Sequence, residues 1–403
     1  MLRDGIGRRR HPLTGTAPAA LADICVIDLS PMMPGHFCSM ILADLGSRVI
    51  TVERPGTGHF SRTTIRGSFE SVNRNKESIT LDLKQPAAQE ILHRLTRNAD
   101  VVLEGFRPGV VSRLAADYDT LRAVKPDLIY CAISGYGQDG PYRDLPGHDP
   151  NYLAVAGVLS LAGDPLGPPE GVTGASMADL SGAWFAAIAV LAAIRARDKH
   201  SIGQYIDVAL ADSSYALMQS RMIEYLVNDC PSKEELMARP GIGLFETKDG
   251  NFISLGAAEN HFWRSLCTVL GLQEWGLAER FATSPGRRQH GREIREQLRA
   301  GFLRESSAHW LEQLQNAGVP CALVNDLGAA ARDPHAVARE IIEWREHPDF
   351  GTIPSIRFPP IMSATPATYR TRAPRLGEHT DALLSEFGYS AEKIRELHDS
   401  HAV

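Results

Sequence analysis

What is scarce in this chain of 403 residues narrows its class before any motif is read. Its six cysteines (Cys25, Cys38, Cys131, Cys230, Cys267, Cys321) are scattered and form no C-x-x-C pair, which excludes a zinc ribbon and a disulfide framework. No metal is expected, and reduced thiols imply a cytoplasmic location. The longest apolar run, 184–194, falls well short of the roughly 20 residues of a membrane-spanning helix, so it reads as buried and no membrane contact is expected. Arg8-Arg9-Arg10 is followed by no apolar stretch, so residues 1–20 read as a disordered tail and not as a secretory signal. Cations do not predominate: 42 Lys+Arg against 48 Asp+Glu leave a formal charge of -6, which argues against a nucleic-acid partner. The G-x-G-x-x-G turn is missing too. A strand at 24–29 runs into Ser30-Pro31-Met32-Met33-Pro34-Gly35, which sets a nicotinamide dinucleotide aside.

Short apolar runs alternate with helical patterns over the first half of the chain. Strands are expected at 24–29, 48–52, 101–103, 128–133 and 205–210, and helices at 37–45, 85–97 and 179–195. That alternation predicts an α/β fold with a parallel sheet covered by helices on both faces. A large domain is expected over 21–225, a linker at 226–240 and a smaller α+β domain over 241–335. A proline-rich linker is read at 336–374, and a closing helical segment at 375–403.

The chemistry concentrates between Ser134 and Gly182. Gly147-His148-Asp149 and Asp179 place an imidazole and two carboxylates on either side of a Gly/Pro-rich segment, and folding would gather them in one cleft, read here as the active site. Asp179 lies where an apolar helix begins. A helix N-terminus favours a carboxylate, and the same position also suits an N-cap.

Several motifs together resemble the family III CoA-transferases, which include the α-methylacyl-CoA racemases. They are Ala43-Asp44-Leu45-Gly46, Val52-Glu53-Arg54-Pro55, Asn73-Arg74-Asn75-Lys76, Glu104-Gly105-Phe106-Arg107-Pro108-Gly109, Gly203-Gln204-Tyr205-Ile206-Asp207 and Gly377-Glu378-His379-Thr380. The resemblance implies a Rossmann-like large domain built from both chain ends, a small domain between them, and an interlocked homodimer. It implies an acyl-CoA thioester as substrate, with no tightly bound cofactor. Arg54, Lys76, Phe106, Arg107 and Arg113 match positions that hold CoA, whose phosphates call for the planar fork of arginine. Asp179 matches the catalytic aspartate, which in the transferases attacks the thioester to form an aspartyl anhydride.

His148-Asp149 with Asn151-Tyr152 resembles the racemase version of the site, and Glu259 matches the racemase glutamate of the small domain. Removing a proton α to a thioester needs a base that titrates near neutrality, as imidazole does. The expectation is therefore an epimerase of 2-methyl-branched acyl-CoA using His148, Asp149, Asp179 and Glu259. A CoA-transferase using Asp179 as nucleophile is the alternative, because Leu180-Ser181-Gly182-Ala183 resembles the transferase sequence. A non-catalytic acyl-CoA binder is the alternative of another class.

Overall fold

The computed structural model describes residues 18–65, 67–165, 167–171, 174–237 and 239–403. Most of the expected N-terminal tail, up to residue 17, lies outside the described residues. In chain order come β1 (Cys25–Asp28), α1 (Met33–Asp44), β2 (Arg48–Glu53), β3 (Lys76–Thr80), α2 (Pro86–Arg97), β4 (Val101–Glu104) and β5 (Ile129–Ser134). Then follow α3 (Asp149–Val155), α4 (Met177–His200) and β6 (Gln204–Ala209). The six strands form one parallel sheet in the order β3-β2-β1-β4-β5-β6, the doubly wound arrangement that the alternating pattern implies.

Both faces of the sheet are apolar, and the period of two is visible along β1, β4 and β5. Val26, Val101, Leu103, Ile129 and Cys131 pack on one side with α1 and α4, and Ile27, Val102, Tyr130 and Ala132 on the other with α2. Each large side chain so buried contributes about 1.5–3 kcal/mol. Leu383, Leu384, Ile394 and Leu397, from near the end of the chain, join the second side, so both ends of the chain build this core. Among the described residues α4 alone is long and apolar enough to cross a membrane. Half of its most apolar window is buried, however, where Ala183, Ala186 and Val190 lie in the core beside the sheet.

The chain divides into two compact units: Met1–Leu159, Gly171–Gln219 and Glu340–Val403 in one, Ser160–Glu170 and Ser220–Arg339 in the other. The second unit holds the antiparallel sheet β7 (Ile242–Glu246), β8 (Phe252–Gly256) and β9 (Cys321–Leu323), with helices that include α5 (Asn260–Val269) and α6 (Ser284–Gln289). Its core centres on Trp263, Phe281 and Phe302.

Two local expectations change, and one strand lies where none was expected. The stretch 336–374, read as linker, contains an antiparallel hairpin, β10 (Ile342–His347) with β11 (Gly351–Ile356). Pro354 and the charges of Glu343, Arg345 and Glu346 hide it, yet proline is tolerated in a two-stranded ribbon where its missing N–H faces away from the ladder. The closing helix is two helices, Thr380–Glu386 and Ala391–Asp399, separated at Gly388 with φ +86°. Strand β3 has no apolar run to announce it, because Lys76, Glu77, Ser78 and Thr80 are polar.

Candidate active site

Strands β1 and β4 are neighbours at the centre of the sheet, and the chain leaves them toward opposite edges. That switch point is where open α/β sheets bind ligands. Gly105, just past β4, sits where the ends of three strands converge: a Cβ there would stand 3.4 Å from Pro31 and 3.6 Å from the Ile133 carbonyl. Glu104 closes β4 and is buried, which pushes its carboxyl up to about 7. It accepts the Phe106 N–H at 2.7 Å and so bends the loop that presents Phe106 and Arg107. Arg107, Arg54 just past β2 and Arg113 are all exposed, and none has an ion-pair partner among the described residues.

The carboxylates are assembled through α3. His148 is its N-cap: the His148 N–H donates to Asn151 Oδ1 (2.9 Å), and the Asn151 N–H donates to the His148 carbonyl (2.8 Å). One turn on, the Tyr152 ring lies against Gly135, just past β5, and against Gly147. A Cβ at Gly135 would stand 2.6 Å from the Tyr152 hydroxyl and one at Gly147 2.7 Å from its ring, so a side chain at either place would displace the Tyr152 ring. This packing sets Asp149, the first residue of α3, against the start of α4. Asp149 Oδ1 accepts from the Ala178 N–H (2.6 Å) and the Asp179 N–H (3.2 Å).

Asp149 thus satisfies the open amides of α4 from about thirty residues away, the task a helix's own N-cap usually performs. Asp179 is the third residue of α4, and the helix's own N-cap, Ser176, makes no side-chain bond. The N-cap alternative for Asp179 is therefore replaced. Its carboxyl is pushed up to about 7, first by burial and then by repulsion from Asp149, and the pull of the helix N-terminus does not offset these two. Tyr152 shares the neighbourhood: burial and then the Asp179 carboxylate push its phenol up to about 12, while Arg107 pulls the other way. The His148 imidazole is exposed and stands in the capping box at the start of α3, beside the Asn151 N–H.

Lys76 is placed otherwise than expected. It is 2% exposed, and its ammonium reaches Asn73 Oδ1 (2.7 Å), the His36 carbonyl (3.0 Å) and Asp28 Oδ2 (3.4 Å). As the first residue of β3 it points inward, and its charge is spent on Asp28 and not presented at the surface for a phosphate. The rest of its motif is structural as well: Arg74 and Asn75 bind Asp44 at 2.6 Å and 2.8 Å.

Glu259 belongs to the second unit, where it is the exposed N-cap of α5 and makes no capping bond of its own. Residue patterns missed Asp28 with His36, and the part Glu104 plays. The signal for Glu104 was a carboxylate at the very end of an apolar strand.

The model of CoA-transferase family III matches residues 21–380. A succinate–glutarate CoA-transferase of Agrobacterium fabrum is 33% identical over 94% of this chain and 96% of its own length. The human α-methylacyl-CoA racemase is 31% identical over 95% of this chain and 97% of its own. Among solved structures, a CaiB/BaiF family protein from Brucella suis superposes with a TM-score of 0.80 at 29% identity, covering 92% of this chain and 99% of that one.

Proposed function

The chain belongs to CoA-transferase family III, and from that premise we propose that it epimerises the α-carbon of a 2-methyl-branched acyl-CoA. The observation that carries this reading is the pairing of a carboxyl raised to about 7 with an exposed imidazole, joined through Asp149. A carboxyl raised toward neutrality can both take up and release a proton there, which suits proton exchange. Asp179 takes the α-proton, the C–H electron pair moves into the thioester as an enolate, and the His148 imidazolium returns a proton to the opposite face. The reverse passage uses the same groups with roles exchanged. Glu259 is the further acid–base group of the scheme. Arg54 and Arg107 hold the CoA phosphates, with Phe106 and Arg113 in the same role. We read the functional form as a homodimer, in which the exposed Trp184, Phe185 and Ile188 of α4 would be covered.

A second reading, CoA transfer through an aspartyl anhydride at Asp179, is favoured by the relatives named as CoA-transferases. One experiment separates the two. A chiral 2-methylacyl-CoA is incubated in D2O with and without an acceptor acid, and with hydroxylamine present in a parallel sample. Epimerisation predicts α-deuterium incorporation without acceptor. Acyl-CoA-dependent inactivation by hydroxylamine with no deuterium uptake would sink it in favour of transfer.

A further inference from the structure

Arg287, in α6, is 2% exposed and has no carboxylate partner among the described residues. Its donors go to three neutral oxygens: the Phe281 carbonyl (2.9 Å), the Ala258 carbonyl (2.7 Å) and Asn260 Oδ1 (3.0 Å), with the guanidinium 5.6 Å from the Trp263 ring centre. Two of these three acceptors flank Glu259. From the other side, the Ala257 N–H donates to the Gly241 carbonyl (2.8 Å), and Gly241 lies so close that a Cβ there would stand 2.3 Å from the Ala257 carbonyl oxygen.

An unpaired buried cation is costly, and an apolar side chain would serve the core better. What the guanidinium supplies is a rigid fork of donors that grips the main chain before Glu259 and the side chain after it. Asn260, beside the helix start, is a natural competitor for capping α5. With its carboxamide held by Arg287 and no capping bond made by Glu259, the Glu259 carboxylate is left projecting into solvent.

We propose that Arg287 is a positioning residue that fixes the Glu259 turn for acid–base work. This rests on the reading of Glu259 given above. The test compares Arg287→Lys and Asn260→Ala with Glu259→Gln, following kcat and KM for epimerisation, and amide hydrogen exchange over residues 257–262 by mass spectrometry. Arg287→Lys loses the fork: exchange in that segment accelerates about tenfold or more while other segments hold, and kcat falls roughly 10–100-fold with KM within about twofold. Asn260→Ala removes one part-buried contact and keeps the fold; its kcat falls by about 3–10-fold.

Unaltered exchange in a folded Arg287→Lys protein overturns the clamp, whatever Glu259 does. Faster exchange together with full activity in Glu259→Gln shows that the reading of Glu259 has failed and that Arg287 holds the turn for stability alone. Full activity in both Arg287→Lys and Asn260→Ala, with Glu259→Gln impaired, overturns the positioning role while leaving Glu259 in place.

Discussion

Asp28, fully buried, and Asp179, half-buried, are both carboxyls of the first unit, and their proton affinities shift in opposite directions. Burial raises both, so burial does not separate them. Asp28 closes β1 and meets the Ser30 N–H at 2.9 Å, the Ser39 hydroxyl at 2.5 Å, His36 Nδ1 at 3.2 Å and Lys76 at 3.4 Å. These partners hold its carboxyl well below the usual range. Among the described residues Asp179 has no ion-pair partner, and the charge that shifts it is another carboxylate, Asp149, so it is left near 7. A buried acid whose partners are complete is part of the scaffold, whereas one whose partner is another acid keeps its proton exchangeable.

Removing the cation from the first of these sites is expected to have the largest effect. In Lys76→Met, Asp28 stays buried with the lysine counter-charge gone, and the protein should lose about 3–5 kcal/mol in urea unfolding. A loss below about 1 kcal/mol would mean that His36 and Ser39 suffice. The pH dependence follows from the sign of the shift. A carboxyl held low in the folded state contributes stability that is complete above its unfolded value of about 4 and is lost as pH falls through the lower folded value.

Asp179 has the opposite sign. Its folded value is raised, so it favours the fold at low pH, and that contribution is lost as pH rises from about 4 to about 7. Asp179→Asn should therefore reduce turnover by about 10²–10⁴-fold while raising stability at pH 8 by about 1 kcal/mol, a figure kept small because the group partly meets solvent. Stability at pH 5 should barely change. An equal loss of stability at both pH values would remove the contrast with Asp28.

How much of this was legible in the sequence depends on which force fixes each part. The parallel sheet was legible because β1, β4 and β5 are near-continuous apolar runs, and β3 was not, because its residues are mostly polar and its place is fixed by pairing with β2. The His148–Asp149–Asp179 group could be read as a cluster of residue types. That Asp149 grips the backbone of α4 could not, because the bond spans a sequence distance that only the Gly135–Tyr152–Gly147 packing closes. Lys76 misled for a similar reason. Whether a lysine faces a phosphate or an aspartate depends on which way the first residue of an edge strand points, and its spacing within Asn73-Arg74-Asn75-Lys76 says nothing about that.

The smallest and most selective change addresses why Asp179 is poised at all. Asp149 acts on it in two ways that can be separated: its charge repels the Asp179 carboxylate, and its oxygen accepts the amides of Ala178 and Asp179. Asp149→Asn keeps an acceptor oxygen and deletes the charge. Stability should then change little, Asp179 should titrate lower, and the limb of the kcat/KM profile on which its carboxylate acts as base should move to lower pH. Burial, the larger cause, remains, so the carboxyl stays above its ordinary value. Asp149→Ala deletes the acceptor as well and should cost a further 1 kcal/mol or so, as the loss of an N-cap does. A pH–rate profile of each variant beside its unfolding curve checks both. If Asp149→Asn left the profile where it was, repulsion would not be what tunes Asp179, and burial alone would account for the contrast with Asp28.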